Sequence, residues 1–124
     1  MILLLESDRL LAKNLAKALQ AAGHETIHVV NPLAAVRTAE KKLPNLIIMD
    51  LQLAGRSGVE FLFEFKSYPE WAGVPVIILS NLPPAEAKTC LESLAKLDIK
   101  NYFYKPTTSL AQLREAVSQL TRVG

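Results

Sequence analysis

Residues 44–50 read Pro-Asn-Leu-Ile-Ile-Met-Asp, and the four apolar residues between the Pro-Asn break and the acid decide the fold. A run that is apolar throughout, instead of at every second position, has no wet face. It reads as a strand buried on both sides, as in the middle of a parallel sheet. Pro44-Asn45 interrupts the chain before it, and Asp50 sets a single carboxylate at its carboxyl end.

Similar runs recur on either side. Residues 2–5 (ILLL) and 74–80 (VPVIILS) are buried-strand candidates, and 101–104 (NYFY) supply another. Residues 25–30 (ETIHVV) alternate, with Ile27 and Val29 on one face. Between the strands the period becomes helical. Leu11, Leu15 and Leu19 recur at four-residue spacing from Asp8 to Ala22, and Gly23 supplies a stop. Asn31-Pro32 reads as cap plus first helical residue of a helix to about Leu43. Gly55 to Gly58 form a loop, after which Val59, Leu62 and Phe65 share a helix face that ends near Tyr68-Pro69. Pro83-Pro84 starts a helix through about Leu97, and Leu110, Leu113, Val117 and Leu120 stripe the last one. Strands alternating with helices predict an α/β fold, an open doubly wound parallel sheet of five strands between helices. The 124 residues are about half the length of an eight-unit barrel and form one domain, 1–124.

Half of the residues are hydrophobic and 21% are charged, which excludes a disordered or fibrous chain. A net charge of +2 implies no broad attraction to nucleic acid, and none is expected to bind directly. Cys90 is the single cysteine, so no intramolecular disulfide forms; it packs as a small hydrophobe. The opening apolar stretch is too short for a signal or membrane segment, so the expectation is a cytoplasmic protein with no membrane association.

Ligands of open parallel sheets bind beyond the carboxyl ends of the strands. Those ends carry Glu6-Ser7-Asp8, Asp50, Ser80-Asn81 and Lys105-Pro106, with Asn31 ending a second strand that would lie at an edge. Taken singly these are ordinary residues: Asp8 caps a helix, Ser80 solvates a loop, Lys105 is a surface charge. Together they are complementary. Carboxylate oxygens suit a hard cation, and a lysine suits an anion. A carboxylate flanked by both can accept a phosphoryl group, and Asp50, alone at the end of a central strand, is the natural acceptor.

ILLLESD at 2–8, PNLIIMDLQLAGRSG at 44–58, VPVIILS at 74–80 and YFYKP at 102–106 resemble the receiver domain of two-component response regulators, over essentially the whole chain. The resemblance implies strand order 2-1-3-4-5 with five helices in three α/β/α layers. It implies Asp50 as phosphoacceptor from a histidine kinase or histidine phosphotransfer protein, Ser80 as switch hydroxyl, and Lys105 as the partner of the phosphoryl group. It implies Tyr102 as the aromatic that follows Ser80, and a cis Lys105-Pro106 bond. Magnesium would be held by Glu6, Asp50 and the main-chain carbonyl of Gln52. Phe103, Tyr104 and Trp71 read as packing residues. The switched face would be that of helix four, strand five and helix five, roughly residues 84–122, open to an effector domain or a homodimer partner.

Three positions depart from the receiver pattern. Ser7 stands where the second strand-one acid binds the metal directly, which weakens magnesium binding; Asp8, one residue on, is the further candidate ligand. Ala54 replaces a common proline, and Asn81 sets an amide where a small residue follows the switch hydroxyl. The loss of an acid keeps open a second class of function, a pseudo-receiver that binds proteins without phosphorylation. A flavodoxin-like cofactor binder is disfavoured because the turn ESDRLL at 6–11 has no glycine. The expected role is that of a signalling domain whose only chemistry is its own phosphorylation and dephosphorylation, and not an enzyme.

Overall fold

A computed structural model of the chain describes residues 1–53 and 56–121, the side chain of Arg56 excepted; the expectations placed on Ala54 and Gly55 lie outside these residues. Five parallel strands form one sheet: β1 (Ile2–Leu5), β2 (Thr26–Val29), β3 (Leu46–Met49), β4 (Val76–Ser80) and β5 (Ile99–Tyr104). Their order is β2-β1-β3-β4-β5, the expected one. The helices are α1 (Arg9–Ala21), α2 (Pro32–Lys41), α3 (Gly58–Lys66), α4 (Pro84–Ser93) and α5 (Leu110–Thr121).

Burial follows the sequence pattern. Every residue of β1, β3 and β4 is buried, whereas β2 and β5, the edges, are half-covered. Side chains alternate across the sheet, so one strand feeds two cores. Leu3, Leu5, Ile47, Met49 and Ile78 join Ala35, Phe61, Leu62 and Phe65 under α2 and α3. Ile2, Leu4, Leu46, Ile48 and Ile77 join Leu15, Leu19, Leu113 and Val117 under α1 and α5. Each such aliphatic side chain contributes roughly 1.5–3 kcal/mol when fully buried.

The helix starts are set by short polar side chains. Asp8 is the N-cap of α1, its Oδ1 accepting the Leu11 N–H at 3.1 Å, and Asn31 does the same for Ala34 at 2.9 Å before Pro32. Ser57 caps α3 through the Val59 and Glu60 amides. Trp71 is buried as a packing cap, stacked on Phe65 with ring centroids 4.6 Å apart. Beneath it Lys66 is also buried, its ammonium donating to the carbonyls of Ala72 and Val74; burial lowers its pKa.

Four boundaries and faces differ from the sequence reading. Strand five begins at Ile99, because Ile99 pairs with Val76 while Asn101 pairs with Ile77, leaving Lys100 as an extra residue in the ladder. Helix α4 ends at Ser93: Leu94 is buried, the chain tightens into a 3₁₀ turn over Ala95–Leu97, and Asp98 takes a left-handed φ of 58°. Leu110 is exposed where a core contact was expected, and Phe61 is buried on α3. The Lys105-Pro106 bond is not cis: among the described residues there is no cis peptide, and Pro106 fits a 3₁₀ turn over Lys105–Thr107 closed by the Thr108 amide on the Lys105 carbonyl.

The approach of α3 to β3 depends on one missing side chain. A Cβ on Gly58 would lie 2.7 Å from both the Asp50 carbonyl oxygen and the Leu51 Cα. The Gly58 amide meanwhile donates to the Leu51 carbonyl at 2.8 Å. Backbone atoms cannot yield as a flexible side chain can. Gly58→Ala is therefore expected to destabilise the fold by about 1–3 kcal/mol in urea unfolding; an unchanged midpoint would mean that α3 can slide away from the Asp50 segment freely.

Candidate functional site

The carboxyl ends of β1, β3 and β5 bring three charged side chains into one cluster. Glu6, one residue past β1, is 2% exposed, and Asp50, one past β3, is 4% exposed. Lys105 follows β5 and reaches over β4; its Nζ lies 2.7 Å from Glu6 Oε1 and 2.7 Å from Asp50 Oδ2. Burial by itself would lower the lysine pKa, but hydrogen bonds and charge from Asp50 and Glu6 outweigh it and hold the ammonium above its usual range.

The second carboxylate oxygens are occupied by backbone. Asp50 Oδ1 accepts the Gln52 N–H at 2.9 Å, and Glu6 Oε2 accepts the Asp8 N–H at 3.1 Å. These bonds fix both carboxylates in orientation before anything binds. The turn after β1 has one more anchor, His28 on β2, whose Nε2 lies 2.8 Å from the Glu6 carbonyl oxygen. A carbonyl only accepts, so that nitrogen carries the proton.

A second group surrounds the turn after β4. Ser80 is fully buried, and its hydroxyl accepts the Leu82 N–H at 3.1 Å. The Tyr102 hydroxyl donates to the Leu82 carbonyl and also bonds Ser80. Burial raises the Tyr102 pKa; the Ser80 bond partly offsets this, and the Asp50 charge adds to it. Ser80 and Tyr102 thus hold the backbone of one residue, Leu82. Asn81 is exposed beside them.

The candidate metal ligands divide. Glu6 and Asp50 share the cluster, with Gln52 joined to it through its main chain. Asp8 does not join: its carboxylate is spent on the α1 cap. Ser7 is exposed. Among the described residues no three His, Cys, Asp or Glu side chains lie together as a metal group. What remains is a pair of hard-oxygen carboxylates, Glu6 and Asp50, which fits magnesium, an ion commonly held by one or two carboxylates and water.

Sequence reading missed two contributors. Leu82 acts through its backbone and leaves no sequence signal. His28 reads as an ordinary strand residue.

The response regulator receiver domain model matches residues 2–118. The chain belongs to that family. Receiver domains are signalling domains of two-component systems. The chain is 34% identical over 79 residues to the polar-differentiation response regulator DivK of Brucella anthropi, a match covering 64% of each. It is 35% identical over 80 residues to an uncharacterised 76.5 kDa protein of Thiocystis violacea, covering 64% of this chain and 12% of that one. The chain therefore spans less than two thirds of these relatives. The receiver domain of a Pseudomonas aeruginosa sensor histidine kinase, crystallised with magnesium in its active-site cleft, superposes with a TM-score of 0.82 over 96% of this chain and 94% of that one at 24% identity. At that identity the likeness is one of fold. Among the described residues no helix is long and apolar enough to cross a membrane.

The receiver cluster makes a pH prediction. Because Lys105 titrates above its ordinary value in the folded chain, its ion pairs contribute fully below the unfolded lysine pKa of about 10.4. That contribution disappears as pH rises through the folded value. Lys105→Met should destabilise the domain by roughly 3 kcal/mol at pH 8, since two buried carboxylates lose their cation. Denaturant unfolding should show the gap to wild type closing above about pH 10.4. A gap constant with pH would mean that Lys105 acts through packing alone.

Proposed function

We propose that this domain is a phosphoacceptor switch of a two-component phosphorelay, in which Asp50 takes a phosphoryl group from a phosphohistidine on a histidine kinase or histidine phosphotransfer protein. The observation that carries the reading is the buried Lys105 ammonium at 2.7 Å from both Asp50 and Glu6. An Asp50 oxygen attacks phosphorus, the new O–P bond forms as the P–N bond breaks, and the imidazole leaves with the electron pair. The desolvated ammonium offsets charge on the transferring oxygens, and the Gln52 N–H keeps the carboxylate from rotating. Magnesium held by Glu6, Asp50 and the Gln52 carbonyl supplies further positive charge when bound. Hydrolysis then returns the Asp50 carboxylate and releases inorganic phosphate, and the two steps are the domain's own chemistry.

The output runs through Leu82. Phosphoryl oxygens on Asp50 compete for the Ser80 hydroxyl, as strong charged acceptors do. Turning toward them withdraws Ser80 from the Leu82 N–H and frees the partner of Tyr102. The turn into α4 then shifts, and the α4-β5-α5 face changes its affinity for an effector domain or a second copy. One observation favours a second reading, a phosphorylation-independent interaction module: Ser7 is exposed and uncharged, and Asp8 is engaged elsewhere.

Incubation with magnesium and acetyl phosphate separates the two. Intact mass should show one added phosphoryl group, absent in Asp50→Ala. Hydrogen exchange at the Leu82 amide should quicken on labelling in wild type and not in Ser80→Ala. No label at millimolar magnesium would favour the interaction module. Metal affinity gives an independent check by calorimetry: Ser7→Asp should tighten magnesium on the order of tenfold, as an added carboxylate does. Asp8→Asn, which keeps a capping side chain, should leave it unchanged; a loss there would make Asp8 a ligand after all.

A further inference from the structure

Strand β2 grips the main chain of Glu6 on both sides of its Cα. The Glu6 N–H donates to the Val29 carbonyl at 3.1 Å, and the Glu6 carbonyl accepts from His28 Nε2 at 2.8 Å. The first bond carries the parallel ladder of β1 on β2 one step past the strand end. The second comes from a side chain. His28 stands in register with Leu4, whose side chain belongs to the core under α1 and α5. The imidazole therefore rises on that face and reaches along the sheet to the turn that leads into α1.

The strand itself does not call for an imidazole. β2 is a half-covered edge, and Ile27 and Val29 on either side are the residue type such a position favours. A half-buried polar ring costs free energy unless it is bonded. This one is bonded to the residue that holds the charged cluster from the β1 side. Glu6 Oε1 lies 2.7 Å from Lys105 Nζ, and Oε2 accepts the Asp8 N–H at 3.1 Å. Both contacts swing on the Glu6 Cα. The Val29 bond fixes the peptide before that atom, and the His28 bond fixes the peptide after it.

We infer that His28 is a positioning residue, which holds the Glu6–Ser7 peptide so that the Glu6 carboxylate stays against Lys105 and ready for a divalent cation. The inference rests on the phosphoacceptor reading for the role of the cation, and it adds a residue outside the cluster that governs one of the two carboxylates. Nε2 carries its proton both in the neutral tautomer that makes this bond and in the imidazolium, so the role does not depend on the charge of His28. Side chains that orient a metal ligand without touching the metal commonly matter roughly 10–100-fold in affinity.

The test compares His28→Leu, which removes the donor, with His28→Gln, which keeps an N–H at similar reach. Hydrogen exchange in the metal-free chain is read at the Asp8 amide, which bonds the Glu6 carboxylate, and at the Gln52 amide, which bonds Asp50. In His28→Leu the Asp8 amide should exchange about tenfold faster while the Gln52 amide keeps its rate. His28→Gln should restore the Asp8 amide. Calorimetry should show magnesium about tenfold weaker in His28→Leu and close to wild type in His28→Gln. In a Glu6→Gln background His28→Leu should cost magnesium nothing further, because the histidine acts through that carboxylate. Equal quickening of both amides, no rescue by glutamine, or a full further loss beside Glu6→Gln would overturn the inference. The amide exchange needs neither metal nor phosphodonor, so a wild-type chain that binds no magnesium or takes no label counts against the phosphoacceptor reading alone.

Discussion

One ammonium group between two buried carboxylates constrains this molecule more than any other contact. Glu6 and Asp50 are nearly without solvent, and two anions so placed would repel each other and resist desolvation. Lys105 resolves this at 2.7 Å from each. To do so it must extend from β5 across the end of β4, which fixes how the ends of four adjacent strands line up. Sheet order, the turn after β5 and the orientation of both acids all answer to this requirement.

The surrounding packing keeps the interaction strong. Apolar strands buried on both faces exclude water from beneath the cluster, and exclusion of water strengthens charge pairing. Gly58 lets α3 seat against the Asp50 carbonyl, which keeps the segment after β3 close to the sheet. Backbone amides of Gln52 and Asp8 then take the outer oxygens. The site is thus preorganised by main chain and one lysine, whereas the turn after β4 is held by two hydroxyls on Leu82.

Sequence alone revealed much of this, for physical reasons. Fully apolar runs such as Leu46–Met49 can exist only inside a covered sheet, so strand number and layering followed directly. The polar residues ending those runs had to gather at one rim, which located Glu6, Asp50, Ser80 and Lys105. What stayed hidden was set by tertiary contact. The start of β5 at Ile99 needs the extra residue opposite Val76, and the early end of α4 needs the burial of Leu94. The hold on Leu82 is a backbone effect that no side-chain identity encodes. Asp8 was ambiguous because a cap and a ligand are the same residue type; only its bond to the Leu11 amide separates them.

Ser7 becomes intelligible once the charges of the cluster are counted. Two carboxylates and one ammonium leave a net charge of −1, and an acid in place of Ser7 would make it −2. A pocket at −2 draws a dication in and keeps its lysine in competition with it. At −1 the lysine already offsets half of the negative charge, so the resting cluster is closer to self-sufficient. On the proposed magnesium reading, the exposed hydroxyl would shift the balance from metal toward Lys105 without disturbing the geometry, because the Glu6 and Asp50 bonds to Lys105, Gln52 and Asp8 do not pass through residue 7.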